Sequence, residues 1–155
     1  MLSSMRMNTN IFKRSAEVSK VERSVINSSK APQPIGAYSQ AIQVKGGGLL
    51  FISGQVSIDN SGNLVGEGDI SSQTRQVFEN LKNILGEVGA DFANVIEFTT
   101  YIVDKDNIQP YIQARGDIYP DMFPDGAFPA NTLLVVDALV KEEYLLEIKA
   151  IASLP

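Results

Sequence analysis

One amphipathic helix followed by a β-rich segment constrains the fold of this chain more than any other feature. Ser71 or Ser72 can cap the start of the helix, and Gly89 lies where a left-handed residue would end it. Val95 to Val103 is rich in β-branched and aromatic residues, which predicts a strand. The apolar residues of the helix recur at a spacing of about 3.6, at Val77, Leu81, Ile84, Leu85 and Val88.

Two strands are predicted before this helix. Tyr38 to Val44 and Leu49 to Ser53 flank a glycine-rich turn at residues 45–48, so we expect them to form a hairpin.

A second helix is predicted between the third and fourth strands, from Ile108 to Tyr119. Pro110 falls in its first turn, where a missing N–H is harmless, and Pro120 is expected to stop it.

The last two strands are predicted at residues 132–136 and 144–152, which gives the order β-β-α-β-α-β-β. Right-handed crossovers then place both helices on one face of a mixed sheet, so the predicted fold class is α+β. In the last strand Leu146, Ile148 and Ala150 point one way, and a half-apolar set that includes Glu147 and Lys149 points the other. A half-apolar second face is expected to be covered by association with other subunits.

Composition excludes several kinds of chemistry. The 155 residues include no His and no Cys, so a Ser-His-Asp triad, a Cys nucleophile and a His/Cys zinc site are all excluded. Proton transfer must use Asp, Glu, Tyr, Lys or water. We expect no cofactor and no metal.

Charge is spread unevenly along the chain. Residues 1–24 carry five basic and two acidic residues, whereas the rest carries 8 basic and 16 acidic residues, a net charge of −8. This negative net charge disfavours binding to nucleic acid, because it repels the phosphate backbone. No run of 18 apolar residues predicts a membrane span.

Residues 1–30 are predicted to be a flexible N-terminal extension, and residues 31–155 to be the folded domain. Basic residues precede Glu17, the first acidic residue, which is a feature of organellar transit peptides. A disordered tail, or sequence upstream of a later start, is the simpler explanation of the segment. We expect a cytoplasmic protein, with mitochondrial targeting as the alternative.

Four short signatures carry a family resemblance. In this order and spacing the chain resembles the RidA/YjgF family of imine and enamine deaminases, over about residues 31–152. Active members usually have Pro-Ala-Arg in the third signature, where this chain has Asn131 in place of Arg. The four signatures are Gly36-Ala37-Tyr38-Ser39-Gln40, Phe51-Ile52-Ser53-Gly54-Gln55, Pro129-Ala130-Asn131-Thr132 and Leu146-Glu147-Ile148-Lys149-Ala150-Ile151-Ala152.

The resemblance implies a chorismate-mutase-like homotrimer with a ligand cleft between neighbouring subunits. It assigns Glu147 to the positioning of the attacking water and Tyr38 to one wall of the cleft, both as catalytic residues. It assigns Asn131, Ser53 and Gly54 to substrate binding. The implied activity is that of a 2-iminobutanoate/2-iminopropanoate deaminase.

Each assigned residue also has an ordinary structural explanation. Glu147 can be a solvated strand residue paired with Lys149, Tyr38 can serve packing, and Asn131 can simply begin a strand. Ser53 and Gly54 can end one.

Asn131 bears most directly on activity. An amide replaces the two charge-assisted hydrogen bonds of a guanidinium with one neutral hydrogen bond. We expect weaker carboxylate binding, unless Arg115, Lys141 or Lys149 reaches the site.

Three functions therefore remain. The chain is a deaminase with altered specificity, or a metabolite-binding trimer without catalysis, or an endoribonuclease or translation inhibitor. The charge of the body argues against the third.

Overall fold

A computed structural model describes residues 22–26 and 41–155. Tyr38 and the first signature lie outside these residues. The strands are β1 (Glu22–Ile26), β2 (Ala41–Lys45), β3 (Leu49–Gln55), β4 (Val95–Val103), β5 (Ala130–Val136) and β6 (Leu146–Ser153), and the helices are α1 (Ile70–Gly86) and α2 (Ile108–Met122).

Four strands form a mixed sheet in the order β3-β6-β4-β5. β6 pairs antiparallel with β3 and β4, whereas β4 and β5 are parallel. The parallel pair is joined through α2, as a crossover connection requires. The predicted α+β class, with a mixed sheet and two helices, is confirmed.

The predicted hairpin is wrong. Among the described strands β2 pairs with β1, in a separate two-stranded sheet, and β3 pairs with β6. In the β1–β2 pair, Glu22 lies across from Lys45, so opposite charges meet at one end. In the β3–β6 pair, the apolar residues Ile52 and Ala150 lie across from each other. Local turn signals do not encode such long-range partners. β1 itself lies within the segment predicted to be an extension.

The start of α1 also differs from the prediction. Asp69, rather than a serine, is the N-cap: its carboxylate accepts hydrogen bonds from the backbone N–H of Ser71 at 3.0 Å and of Ser72 at 3.3 Å. At the other end Gly89 has φ +69°, and the N–H of Ala90 donates to the carbonyl of Leu85. The left-handed glycine at the helix end is therefore confirmed.

α2 continues through Pro120 to Met122, so this proline does not stop the helix. It occupies the last turn, where only one backbone hydrogen bond is lost, and the N–H of Phe123 still donates to the carbonyl of Tyr119. The predicted bounds of β4 are confirmed, and those of β5 and β6 differ by one or two residues.

The core lies between the helices and one face of the sheet, which we call the inner face. From β6 it takes alternate residues that are fully or almost fully buried: Leu146, Ile148, Ala150 and Ala152. The opposite face, the outer face, carries large apolar side chains in contact with solvent, and Leu49 and Phe51 are 51% and 71% exposed there.

Gln73 ties α1 to the chain that leads into β6. Its fully buried amide donates to the carbonyls of Gly66 and Glu143 and accepts from the N–H of Leu145. Gln73→Met would leave these three backbone groups without their partner, so we expect the free energy of unfolding to fall by about 3 kcal/mol.

Urea unfolding monitored by circular dichroism measures this change. The control is Gln76→Met on the same helix, which loses a single hydrogen bond to Asn80 and should cost less than about 1 kcal/mol. Equal stabilities of the two variants would contradict the assigned role of Gln73.

Candidate functional site

An irregularity in the β3–β6 pairing brings three of the predicted site residues together. Ile52 pairs with Ala150 and Gln55 with Ile148, so Ser53 and Gly54 together lie opposite a single residue of β6. This is a β-bulge, which redirects side chains locally. Glu147 alternates with buried neighbours on β6 and therefore points to the outer face. We call Ser53, Gly54 and Glu147 the bulge site.

Gly54 is required by the position of the Glu147 side chain. A Cβ atom at Gly54 would lie 2.5 Å from Cδ of Glu147 and 2.8 Å from Cγ, closer than nonbonded atoms tolerate. The carboxylate therefore rests directly against the backbone of β3. Only glycine leaves room for this approach, so the identity of residue 54 allows the Glu147 carboxylate to lie here.

Glu147 and Lys149 do not form the ion pair that would explain Glu147 as an ordinary strand residue. Their ion pairs are Arg75–Asp117, Lys82–Glu79 and Lys141–Glu143. Glu147 is half-buried and Lys149 is exposed. A half-buried carboxylate with no ion pair to the described chain can orient water and accept a proton.

Tyr101 is a neighbour of Glu147 that the sequence did not reveal. It lies directly across from Glu147 in the β4–β6 pairing, and both residues face outward. Cross-strand partners of this kind have adjacent side chains. Only the strand register identifies this residue, because nothing in the local sequence of β4 marks it.

Asn131 lies on the inner face of the sheet. It is the register partner of Phe98, which is 1% exposed, and its Oδ1 accepts a hydrogen bond from the Thr100 hydroxyl at 3.4 Å. The sheet therefore separates Asn131 from Glu147 within this chain.

A polar cluster surrounds Asn131 on this inner face. The Thr100 hydroxyl is also 3.3 Å from the hydroxyl of Tyr111, on α2. The guanidinium of Arg115 lies over the rings of Tyr111 and Tyr119, 5.4 and 5.1 Å from their centroids. Burial raises the pKa of both tyrosines, and the charge of Arg115 opposes that rise. Both phenols are therefore neutral at physiological pH.

Of the three cations considered as substitutes for an arginine at position 131, only Arg115 lies in this cluster. Lys149 extends from the outer face, and Lys141 pairs with Glu143 and lies over the ring of Tyr144.

Another arginine, on β1, contacts the segment just before the third signature. Arg23 donates from Nη2 to the carbonyl of Ala127, two residues before Pro129, at 2.9 Å. Its Nε is buried and has no hydrogen-bond partner in the described part of the chain. Burial lowers the pKa of Arg23, opposed by the charge of Asp125. This contact could not be inferred from the sequence, because β1 was not predicted.

Within residues 22–26 and 41–155, no group of three or more acidic side chains is arranged to hold a metal ion. No helix in these segments has the length and apolarity needed to cross a membrane.

Comparisons with known proteins identify the family of this chain. The family model described as Endoribonuclease L-PSP matches residues 28–154. A RutC family protein of Pyrococcus horikoshii is 41% identical over 130 residues, which are 84% of this chain and 97% of that protein. The 2-iminobutanoate/2-iminopropanoate deaminase of Rattus norvegicus is 36% identical over 135 residues, 87% of this chain and 93% of that protein.

A crystal structure of YyfB from Yersinia pestis, described as a protein of unknown function of the conserved Rid family, shares the fold. Its TM-score is 0.74 at 37% identity, and the match covers 85% of this chain and 98% of that one. Sequence relatives and solved structures thus agree, and the chain belongs to the RidA/YjgF family.

Proposed function

We propose that this protein is a homotrimeric deaminase that hydrolyses small 2-imino acids to 2-oxo acids and ammonia, with Glu147 as the proton-transfer group. The observation that carries the proposal is the bulge site, where Gly54 makes room for a half-buried carboxylate that forms no ion pair with the described chain. The relative from Rattus norvegicus named as a 2-iminobutanoate/2-iminopropanoate deaminase supports the substrate class.

The reaction needs only groups that a chain without His contains. Water attacks the carbon of the protonated C=N bond while Glu147 accepts one of its protons. Glu147 then returns this proton to the nitrogen of the tetrahedral amino alcohol. The C–N bond breaks as the C=O bond forms, and the hydroxyl proton leaves with the nitrogen as ammonium. Ser53 precedes Gly54 on β3 and is exposed, so its hydroxyl can donate a hydrogen bond to the substrate.

Two observations support the trimer and a shared cleft. The outer face exposes Leu49 and Phe51 around the bulge site, and apolar surface of this kind favours association. Asn131 and Glu147 lie on opposite faces, so a ligand that contacts both needs two subunits. Tyr38 is proposed as the wall of this cleft on the family resemblance alone.

Carboxylate recognition is where this protein differs from the active members it resembles. An amide at position 131 in place of a guanidinium should weaken ligand binding by roughly 1.5–3 kcal/mol, or about 10- to 150-fold. A trimer that binds a metabolite without hydrolysing it is therefore the second candidate. An RNA-directed activity fits poorly with a net charge of −5.

The comparison of wild type with Asn131→Arg in 2-iminobutanoate hydrolysis tests the proposal. We expect the variant to have a lower KM because the guanidinium adds charge-assisted hydrogen bonds to the carboxylate. A gain in activity means that Glu147 is competent and that only carboxylate binding was weakened. If wild type and variant are both inactive, hydrolysis of this substrate class is contradicted, and a thermal-shift screen for metabolites then tests the second candidate.

A further inference from the structure

Arg115 is a buried cation whose charge no described residue balances. Its side chain is on α2 and is 7% exposed, between two tyrosine rings. The ion pairs of residues 22–26 and 41–155 do not include it. Burying a charge without a counterion is costly, and cation–π contacts with two rings offset only part of the cost. An anionic ligand close to this cluster would offset the remaining cost.

Two contacts direct Arg115 toward the start of β5. Tyr119, on one side of the guanidinium, stacks on Phe128 with ring centroids 5.6 Å apart. The ring of Tyr111 lies on the other side, 5.4 Å from the guanidinium, and its hydroxyl is 3.3 Å from that of Thr100. Thr100 in turn donates to Asn131. Tyr111 and Thr100 therefore connect the guanidinium to Asn131.

The hydrogen bonds of this cluster can all run in one direction. The single hydroxyl proton of Thr100 is donated to Asn131, so Tyr111 is the donor in its contact with Thr100. The charge of Arg115 over the Tyr111 ring makes this hydroxyl a stronger donor. Thr100 donates to Oδ1 of Asn131, which leaves the Nδ2 group of Asn131 to donate to a ligand. Hydrogen bonds in a chain polarise one another in a low dielectric, so each donor in such a chain is strengthened.

We propose that Arg115 supplies the positive charge for carboxylate recognition through a relay of Tyr111, Thr100 and Asn131, in place of a guanidinium at position 131. This inference rests on the proposed function, because it takes the ligand to be a small carboxylate. Asn131 contacts the ligand, and Arg115 and Tyr111 are positioning residues that make its amide a stronger donor.

Two probes separate the relay from a merely structural role. 2-Oxobutanoate carries the carboxylate, and 2-oxobutanamide is its neutral isostere. We measure both dissociation constants by calorimetry for wild type, Tyr111→Phe, Arg115→Met and Arg115→Lys. Tyr111→Phe removes only the hydroxyl, so it tests the relay even if Arg115→Met fails to fold.

We expect wild type to bind 2-oxobutanoate more tightly than the amide. Tyr111→Phe and Arg115→Met should weaken binding of 2-oxobutanoate about tenfold and leave that of the amide unchanged, and Arg115→Lys should restore part of the loss. Equal losses for both probes, or no loss for either, would overturn the relay.

The failures of the two proposals are distinguishable. A wild type that hydrolyses 2-iminobutanoate, together with a Tyr111→Phe variant of unchanged affinity for 2-oxobutanoate, contradicts the relay alone. A wild type that binds no 2-oxobutanoate contradicts both the relay and the carboxylate ligand.

Discussion

Glu147→Gln is expected to lower kcat for 2-iminobutanoate hydrolysis by about 10²- to 10⁴-fold, the range typical for loss of a general acid–base group. The amide has nearly the same shape, so it should keep the packing against Gly54. It cannot accept a proton from the attacking water, however, and it cannot return one to the departing nitrogen. The measurement is the initial rate of ammonia release at saturating substrate, with KM expected to change little.

Glu97→Gln is the matched control. Glu97 is also half-buried and faces outward, since it pairs with Ile151 of β6. Its replacement removes one negative charge from the same surface without touching the bulge site, so kcat should stay within about twofold of the wild type. Equal kcat losses in the two variants would indicate a general charge effect, and an unchanged Glu147→Gln variant would remove Glu147 from the mechanism.

Gly54→Ala is expected to have the second largest effect, a loss of about 100-fold in kcat/KM. The new methyl group would occupy the space of the Glu147 side chain, whose Cγ lies 2.8 Å from the position of the added Cβ. The carboxylate must then rotate away from β3, and misplacement of a reacting group by about 1 Å costs activity on this scale. Steady-state kinetics with 2-iminobutanoate measures the loss.

Gly116→Ala provides the comparison for Gly54→Ala. An added Cβ at Gly116 meets nothing within 4 Å, and the residue lies inside α2. This variant should keep its activity and gain up to about 1 kcal/mol of stability, because alanine favours a helix over glycine. If Gly54→Ala were as active as Gly116→Ala, the proposed contact between Gly54 and Glu147 would not matter for function.

The sequence predicts those elements whose signals are local. The apolar spacing of α1, the left-handed Gly89 and the β-branched run of β4 each depend on residues close together in the chain. The N-cap was misassigned because Asp69, Ser71 and Ser72 lie within four residues and all have capping side chains, and only the backbone conformation decides among them. The strand partners of β2 and β3 depend on long-range packing, which no local pattern encodes.

Some residues of the candidate site could likewise be predicted from the sequence, and others could be identified only from the structure. The resemblance assigned Ser53, Gly54 and Glu147, and the β-bulge brings them together on the outer face. The neighbours that depend on register and helix docking, Tyr101 and the contacts of Arg115, required the structure. That Asn131 faces the helices also follows only from the β4–β5 register.

The most direct test of the proposed activity is the rate of ammonia release from 2-iminobutanoate generated enzymatically in the assay. Hydrolysis at Glu147 predicts that the wild-type protein accelerates release above the spontaneous rate, in proportion to protein concentration. It also predicts that an equal amount of Glu147→Gln protein does not. A wild-type rate equal to the spontaneous rate would contradict the proposed deaminase activity.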